Sequence, residues 1–182
     1  MYVAGGHQSE IRLTLEVSVE LVNALLEGEA DVRQILSEGG FSRSIQASEA
    51  SLRRLTTRLK ALTPLIVSLP DLDVETAAKL VNEQLDDLPI SPSIIDHDGI
   101  GSHIHWTPSN ATFDDQVISD VLMALAQELC DDGTSRFGRC GAVDCEKLFY
   151  DRTRNRSRRF CADPRCASRT HTADHRTRQK TN

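Results

Sequence analysis

The feature that most restricts what this chain can fold into is a quartet of cysteines near its end. Cys140 and Cys145 are followed, after fifteen residues, by Cys161 and Cys166, and four residues separate the members of each pair. Zinc takes four soft or borderline ligands in a tetrahedron, and two short loops can each present two sulfurs at that geometry. Gly141 beside the first ligand permits a tight turn, and Pro164 shortly before the last suits the first turn of a helix. The expected unit is a knuckle, then a hairpin, then a helix carrying the second pair: a treble-clef-like finger around one structural Zn2+. Two disulfides among the same cysteines, or His171 or His175 in place of one sulfur, are the alternatives. A redox pair would show two intervening residues, not four. A zinc ion holding four thiolates has no open position for water or substrate, so the expectation is a protein that is not an enzyme at this metal.

Four thiolates exceed the charge of one zinc by two. Arg139, Arg158, Arg159 and Arg165 flank the ligands and are expected to offset that excess. Phe149 and Phe160 are expected to supply the finger's small apolar core. Cys130 lies on an amphipathic stretch and reads as a small buried hydrophobe.

Charge divides the chain at the same place. Residues 134–182 hold 13 of the 21 Lys and Arg but 5 of the 27 Asp and Glu, a balance of +8 that leaves −14 for residues 1–133. An acidic body with a basic module suggests a polyanion partner, or a basic end that docks on its own body. Arginine outnumbers lysine by eleven to two in the basic part, and its fork suits phosphate and guanine edges. Arg152, Arg154, Arg156, Arg158 and Arg159 crowd one loop, while Arg165, Ser168, Arg169, Arg176, Arg178 and Lys180 lie on or beyond the last helix. These eleven residues are the candidate nucleic-acid contacts, with DNA favoured over single-stranded RNA because few aromatic rings are left for stacking.

The body reads as α+β: a mainly helical N-terminal domain with a small antiparallel sheet of up to three strands. Residues 10–17 alternate, with Ile11, Leu13, Leu15 and Val17 on one side, which predicts a half-buried strand. Val19, Val22, Leu25 and Leu26 predict a short helix ending near Gly28. Leu52, Leu55, Leu59 and Leu62 predict a longer helix that Pro64 should kink or end, with Arg53, Arg54, Arg58 and Lys60 facing away. Asp73 should cap a third helix that buries Val74, Ala77, Ala78, Val81 and Leu85. Residues 93–96 and 100–107, joined through His97-Asp98-Gly99, predict a hairpin. Thr112 with Asp115 opens a last body helix that buries Val117, Val121, Leu122, Leu125 and Leu129. His97, Asp98, His103 and His105 gather at the hairpin and could form a second metal site or catalytic pair. The more conservative expectation places His103 and His105 as exposed polar residues opposite Ile104 and Trp106.

No stretch reaches the ~18–20 apolar residues that span a bilayer, and the start lacks a secretory pattern. The expected setting is a reducing cytoplasm, with no membrane partner. There, closely spaced cysteines point to metal before disulfides.

The run Cys140…Cys145, Phe149, Asp151, Asn155, Arg158-Arg159-Phe160-Cys161 and Cys166…Arg169 resembles the CGNR zinc-finger family. Two positions depart from the family pattern: Ala167-Ser168 stands for Gly-Asn, and Phe160 for tryptophan. The preceding part resembles, in order and size, the helical ABATE domain that accompanies this finger, with Val22-Asn23-Ala24-Leu25 similar to its early helix. Membership implies a stress-induced transcription regulator of bacterial type. With the basic residues above, the finger reads as its DNA-binding module, and the N-terminal domain as a part that senses a small molecule or contacts other proteins. The other reading is a protein–protein adaptor that grips an acidic partner without binding DNA.

Overall fold

The structure, a computed structural model, describes residues 5–28, 30–96 and 102–180. Its first element is a helix. α1 runs Gly5–Glu27 and replaces the strand expected at 10–17. The apolar residues there also recur at steps of four and three, and α1 packs on α2, α3, α5 and the strand β4 defined below. Burial on several faces (Ile11, Leu15, Val17, Val19, Leu21 and Val22 are all buried) widens the apolar stripe until a 3.6-residue period imitates alternation. The Ser18 hydroxyl donates to the Thr14 carbonyl one turn back at 2.6 Å, a bond that only helical spacing allows. The helix stops as expected at Gly28, whose φ of 76° suits glycine.

A short helix, α2 (Val32–Glu38), is capped by Asp31, whose carboxylate accepts from the Gln34 amide. α3 spans Glu49–Ser68, opens on the Ser48 cap, and buries Leu52, Leu55, Leu59, Leu62 and Ile66. Pro64 does not end it. The carbonyl this proline deprives of a partner belongs to Lys60, an exposed residue that water can satisfy, while Leu62 and Ile66 fix the last turns in the core. Arg54 and Arg58 do not face away: they reach Asp114 (3.1 Å) and Asp115 (2.7 Å) on α5. α4 (Val74–Leu85) is capped by Asp73 as expected and buries Ala77 and Val81, with Val74 exposed.

β1 (Ser93–Asp96) and β2 (Ser102–His105) form the expected hairpin, antiparallel and two-stranded, in register Ile95 to His103. Its turn, with His97, Asp98 and Gly99, lies outside the described residues. α5 (Phe113–Asp131) starts on the Thr112 cap and is the central helix, packed against α1, α3 and α4. It buries the five predicted residues. Cys130 is exposed rather than buried, because it follows Leu129 by one residue and so turns about 100° off the buried stripe.

Past Gly133 come β3 (Phe137–Arg139) and β4 (Leu148–Tyr150), an antiparallel pair, and then α6 (Pro164–Lys180). Phe137, Leu148 and Tyr150 belong to the same apolar core as α1, α3, α4 and α5. The finger's hairpin is thus built onto the body, and the Cys140, Cys161 and Cys166 cluster forms a second, smaller core with Ala142.

Candidate metal centre

Each cysteine is placed by a local feature that the sequence specifies. Cys140 leaves β3 and its amide donates to the Lys147 carbonyl at 2.8 Å, while the Cys145 amide closes a turn on Ala142. The first pair is therefore the turn of the β3–β4 hairpin itself, not a knuckle ahead of a separate hairpin as expected. Gly141 matters for proximity more than for turn angle: its amide donates to the Arg159 carbonyl at 2.8 Å, and a Cβ there would sit 3.1 Å from that oxygen. The second pair straddles the start of α6. Asp163 takes the Arg165 amide and guanidinium on its carboxylate, Pro164 opens the helix, and Cys166 falls in its first turn.

Four sulfurs result, all within 4.8 Å of one another. Cys145 to Cys161 is 3.8 Å and Cys161 to Cys166 is 3.7 Å. A tetrahedron with Zn–S bonds of about 2.3 Å has S···S edges of about 3.8 Å, whereas a disulfide would need about 2.05 Å. The donor set fits zinc, and all five cysteines are free thiols. His171 is not among the ligands: it is exposed, its ring centroid 5.9 Å from that of Phe160 in an edge-to-face arrangement. The His175 side chain lies outside the described residues. Among the described residues, the cysteines are the one cluster of metal-ligating side chains. Zinc held there supplies a cross-link between the hairpin turn and the start of α6.

The electrostatics of the cluster show how it handles thiolate charge. Burial pushes the Cys161 thiol up to about 12 against the pull of the Asp163 amide, and burial also raises Cys145. Cys140 goes the other way: burial would raise it, but the amides of Cys161 and Ala142 pointing at its sulfur bring it below its ordinary value. Cys161 and Cys145 therefore favour the protonated form until a cation displaces the proton, so metal uptake there releases protons. The guanidinium that reaches a sulfur is that of Arg169, 3.7 Å from Cys166, braced by Asp144 at 2.8 Å. The four arginines expected in that role are used elsewhere. Arg139 binds Asp71 and the Val67 carbonyl, Arg158 binds Glu16 and the carbonyls of Tyr150 and Phe160, Arg159 lies over the Phe160 ring, and Arg165 pairs with Asp163.

The arginine loop is organised by Asp151, which is 3 % exposed. Its carboxylate accepts from the Thr153 and Arg158 amides, both at 2.7 Å, and those bonds outweigh burial and hold it below the usual carboxylate range. An aspartate with a threonine two residues on is an Asx-turn signal that a closer reading of the sequence could have used. Much of the basic charge is turned inward. Arg152 and Arg158 share Glu16 of α1, Arg156 binds Asp132, and Lys147 binds Glu27 at 2.9 Å. Arg154 is exposed with no ion pair among the described residues. Ser168 is exposed on α6, and the side chains of Arg176, Arg178 and Lys180 lie outside the described residues.

Sequence reasoning missed the groups that weld finger to body. Asn23 of α1 covers the free edge of β4, its side chain donating to the Leu148 carbonyl (3.0 Å) and accepting from the Leu148 amide (2.9 Å). Tyr150 donates to Glu128 Oε2 at 2.8 Å, and Arg136 holds Asp132 together with the carbonyls of Asp151 and Thr153. The histidines differ from expectation too. His103 and His105 occupy the half-buried face of the hairpin with their Nε2 atoms 3.0 Å apart, and it is Ile94 and Ile104 that face solvent.

A comparison of the chain with curated proteins finds no match. A family model does match where the sulfurs converge: residues 136–179 match the CGNR zinc finger.

Proposed function

We propose that the finger is a DNA-binding module and the chain a transcription regulator, with α6 and the arginine loop as the contact surface. The observation that carries the reading is the placement of α6. No described side chain of this 17-residue helix belongs to the main core; the helix is tied to the fold through Cys166 in its first turn and exposes its residues from His171 to Ala173. At 1.5 Å per residue it extends about 25 Å, long enough to lie in a major groove about 12 Å wide. Arg176, Arg178 and Lys180 stand on its last turns.

The basic residues divide by role. Arg152, Arg156 and Arg158 grip Glu16 and Asp132 and so orient the finger on the body. Arg154, Arg159, Arg176, Arg178 and Lys180 are the group assigned to phosphate. Five neutralised phosphates give a slope of about −4.5 for log affinity against log salt on duplex DNA. The test is fluorescence anisotropy of zinc-loaded full-length protein with a labelled duplex between 50 and 200 mM salt (concentrations on the scale where such slopes are read). The expected result is that slope, reduced by about two in Arg154→Ala/Arg159→Ala. Affinity that stays flat with salt overturns the proposal. The stress-response role and the ABATE character of the body rest on the sequence resemblance alone.

A further inference from the structure

Away from the finger, a cleft of about 580 Å³ opens between the 3-10 helix Ser42–Gln46, the inner face of the β1–β2 hairpin and the start of α5. Its size is within the ~300–1,000 Å³ usual for small-molecule sites. Its walls carry Ser42, Arg43, His105, Ser109 and Gln116 as polar groups and Ile95 as an apolar one, and no described lining residue is acidic. Arg43 is the centre of this arrangement. NH1 donates to Gln116 Oε1 at 2.6 Å, and Gln116 is itself steadied by its own amide donating to the Ala111 carbonyl. A neutral amide thus aims the guanidinium without cancelling its charge, and no described carboxylate lies within ion-pair distance. Ile45, 68 % exposed, stands at the rim as uncovered apolar surface.

A second open cleft shows the contrast. It is lined by Arg33, but that guanidinium already binds the carbonyls of Ser44 and Ile45 and the Glu49 carboxylate, and Asp31 and Glu49 both line the walls. An anion entering there meets two carboxylates and a spent arginine.

We propose that the cleft at Arg43 binds a small organic anion, its carboxylate or phosphate oxygens on the Arg43 fork and the His105 side, its apolar portion against Ile95 and Ile45. Arginine binds either oxyanion in two-pronged fashion, and hydroxyls such as those of Ser42 and Ser109 serve both. The carboxylate of Asp120 is an opposing charge close enough to feel Arg43. Burial pushes it up to about 7, against the pull of His103 and Arg43, so near neutrality it carries only part of its charge. The site is independent of whether the finger binds DNA.

The test uses zinc-loaded full-length protein titrated with hexanoate and with phenyl phosphate, against inorganic phosphate as the comparison, followed by calorimetry and by amide NMR shifts. The expected result is saturable binding of at least one tailed anion, ten-fold or more tighter than inorganic phosphate, with shifts at residues 42–46, 105–109 and 116. Which probe binds separates carboxylate from phosphate ligands. Arg43→Gln, checked for folding by circular dichroism, should weaken that binding ten-fold or more. Absence of saturable binding by both tailed anions, shifts confined to the finger's arginines, or unchanged affinity in Arg43→Gln overturns the proposal. The wild-type shift map decides even if the variant misfolds, and the DNA titration above reads the finger separately.

Discussion

Replacing Tyr150 by Phe isolates the bond that holds the finger's hairpin to the central helix. Tyr150 is 1 % exposed and Glu128 is 3 % exposed, and the hydroxyl–carboxylate bond between them is 2.8 Å. Phe keeps the ring and its contact with Phe137, whose centroid is 5.1 Å away, so packing is preserved. What is lost is a bond to a charged acceptor, worth about 1.5–3 kcal/mol when the acceptor stays buried. Glu128 has little to fall back on: Oε1 already lacks a hydrogen-bond partner, and Arg136 Nε stands off at 3.5 Å. A loss of about 2 kcal/mol corresponds to a fall in Tm of roughly 4–8 °C for a chain of this size. The pH dependence gives a second signature. Burial raises the Glu128 pKa, with repulsion from Asp132 adding to it and the Tyr150 bond opposing. A carboxyl with a raised folded pKa binds the extra proton when folded, so its contribution to stability declines as pH rises from its unfolded value through its folded one. Removing the tyrosine bond raises the folded value further, so the deficit of Tyr150→Phe should be larger at pH 7.5 than at pH 5. Urea unfolding of zinc-loaded protein at both pH values measures this. A variant within about 0.5 kcal/mol of wild type at pH 7.5 would refute the reasoning.

Three further outcomes follow from the geometry. Asn23→Ala removes both bonds to the Leu148 backbone, and should cost about 2 kcal/mol and speed hydrogen exchange at the Leu148 amide. Gly138→Ala places a Cβ 2.5 Å from the Phe149 ring across the strand pair, and the forced shift should lower the urea midpoint by the equivalent of about 1–3 kcal/mol. Asp120 is a carboxyl raised to about 7 by burial, so the folded state binds the extra proton and stability falls as pH climbs from about 4 to 7. Asp120→Asn should therefore be more stable than wild type at pH 8, by about 2 kcal/mol after discounting for its partial exposure, with the gain fading toward pH 5 in thermal melts.

What was legible in the sequence was local. The caps at Asp73 and Thr112, the leucine spacing of α3 and the hairpin at 93–105 each depend on residues a few positions apart, and each appears where expected. The zinc ligands were legible for the same reason, since two short loops fix two sulfurs apiece. Failures came where several faces or distant partners decide the outcome. α1 is buried against four neighbouring elements, so its broad apolar stripe imitated alternation, and without that strand the sheet has two strands instead of three. The loop arginines were read first as nucleic-acid contacts, with docking on the acidic body as the alternative, and their acidic partners could not be named because they are far off in sequence: Glu16 lies 136 residues from Arg152. No local pattern could have announced that ion pair, nor the one between Arg156 and Asp132. Asn23 went unassigned because its partners are backbone groups 125 residues away, which leave no trace in residue type; Asp151 carried a local turn signal that went unused, and Arg136 bonds both the Asp132 side chain and distant carbonyls.

Everything rests on one ion organising the sulfurs of Cys140, Cys145, Cys161 and Cys166. X-ray absorption at the zinc edge, with metal stoichiometry by mass spectrometry on gently purified full-length protein, reads this directly. The expected result is one zinc per chain with a shell of four sulfurs at about 2.3 Å. A folded protein carrying no zinc, or a shell containing nitrogen or oxygen, would contradict the account.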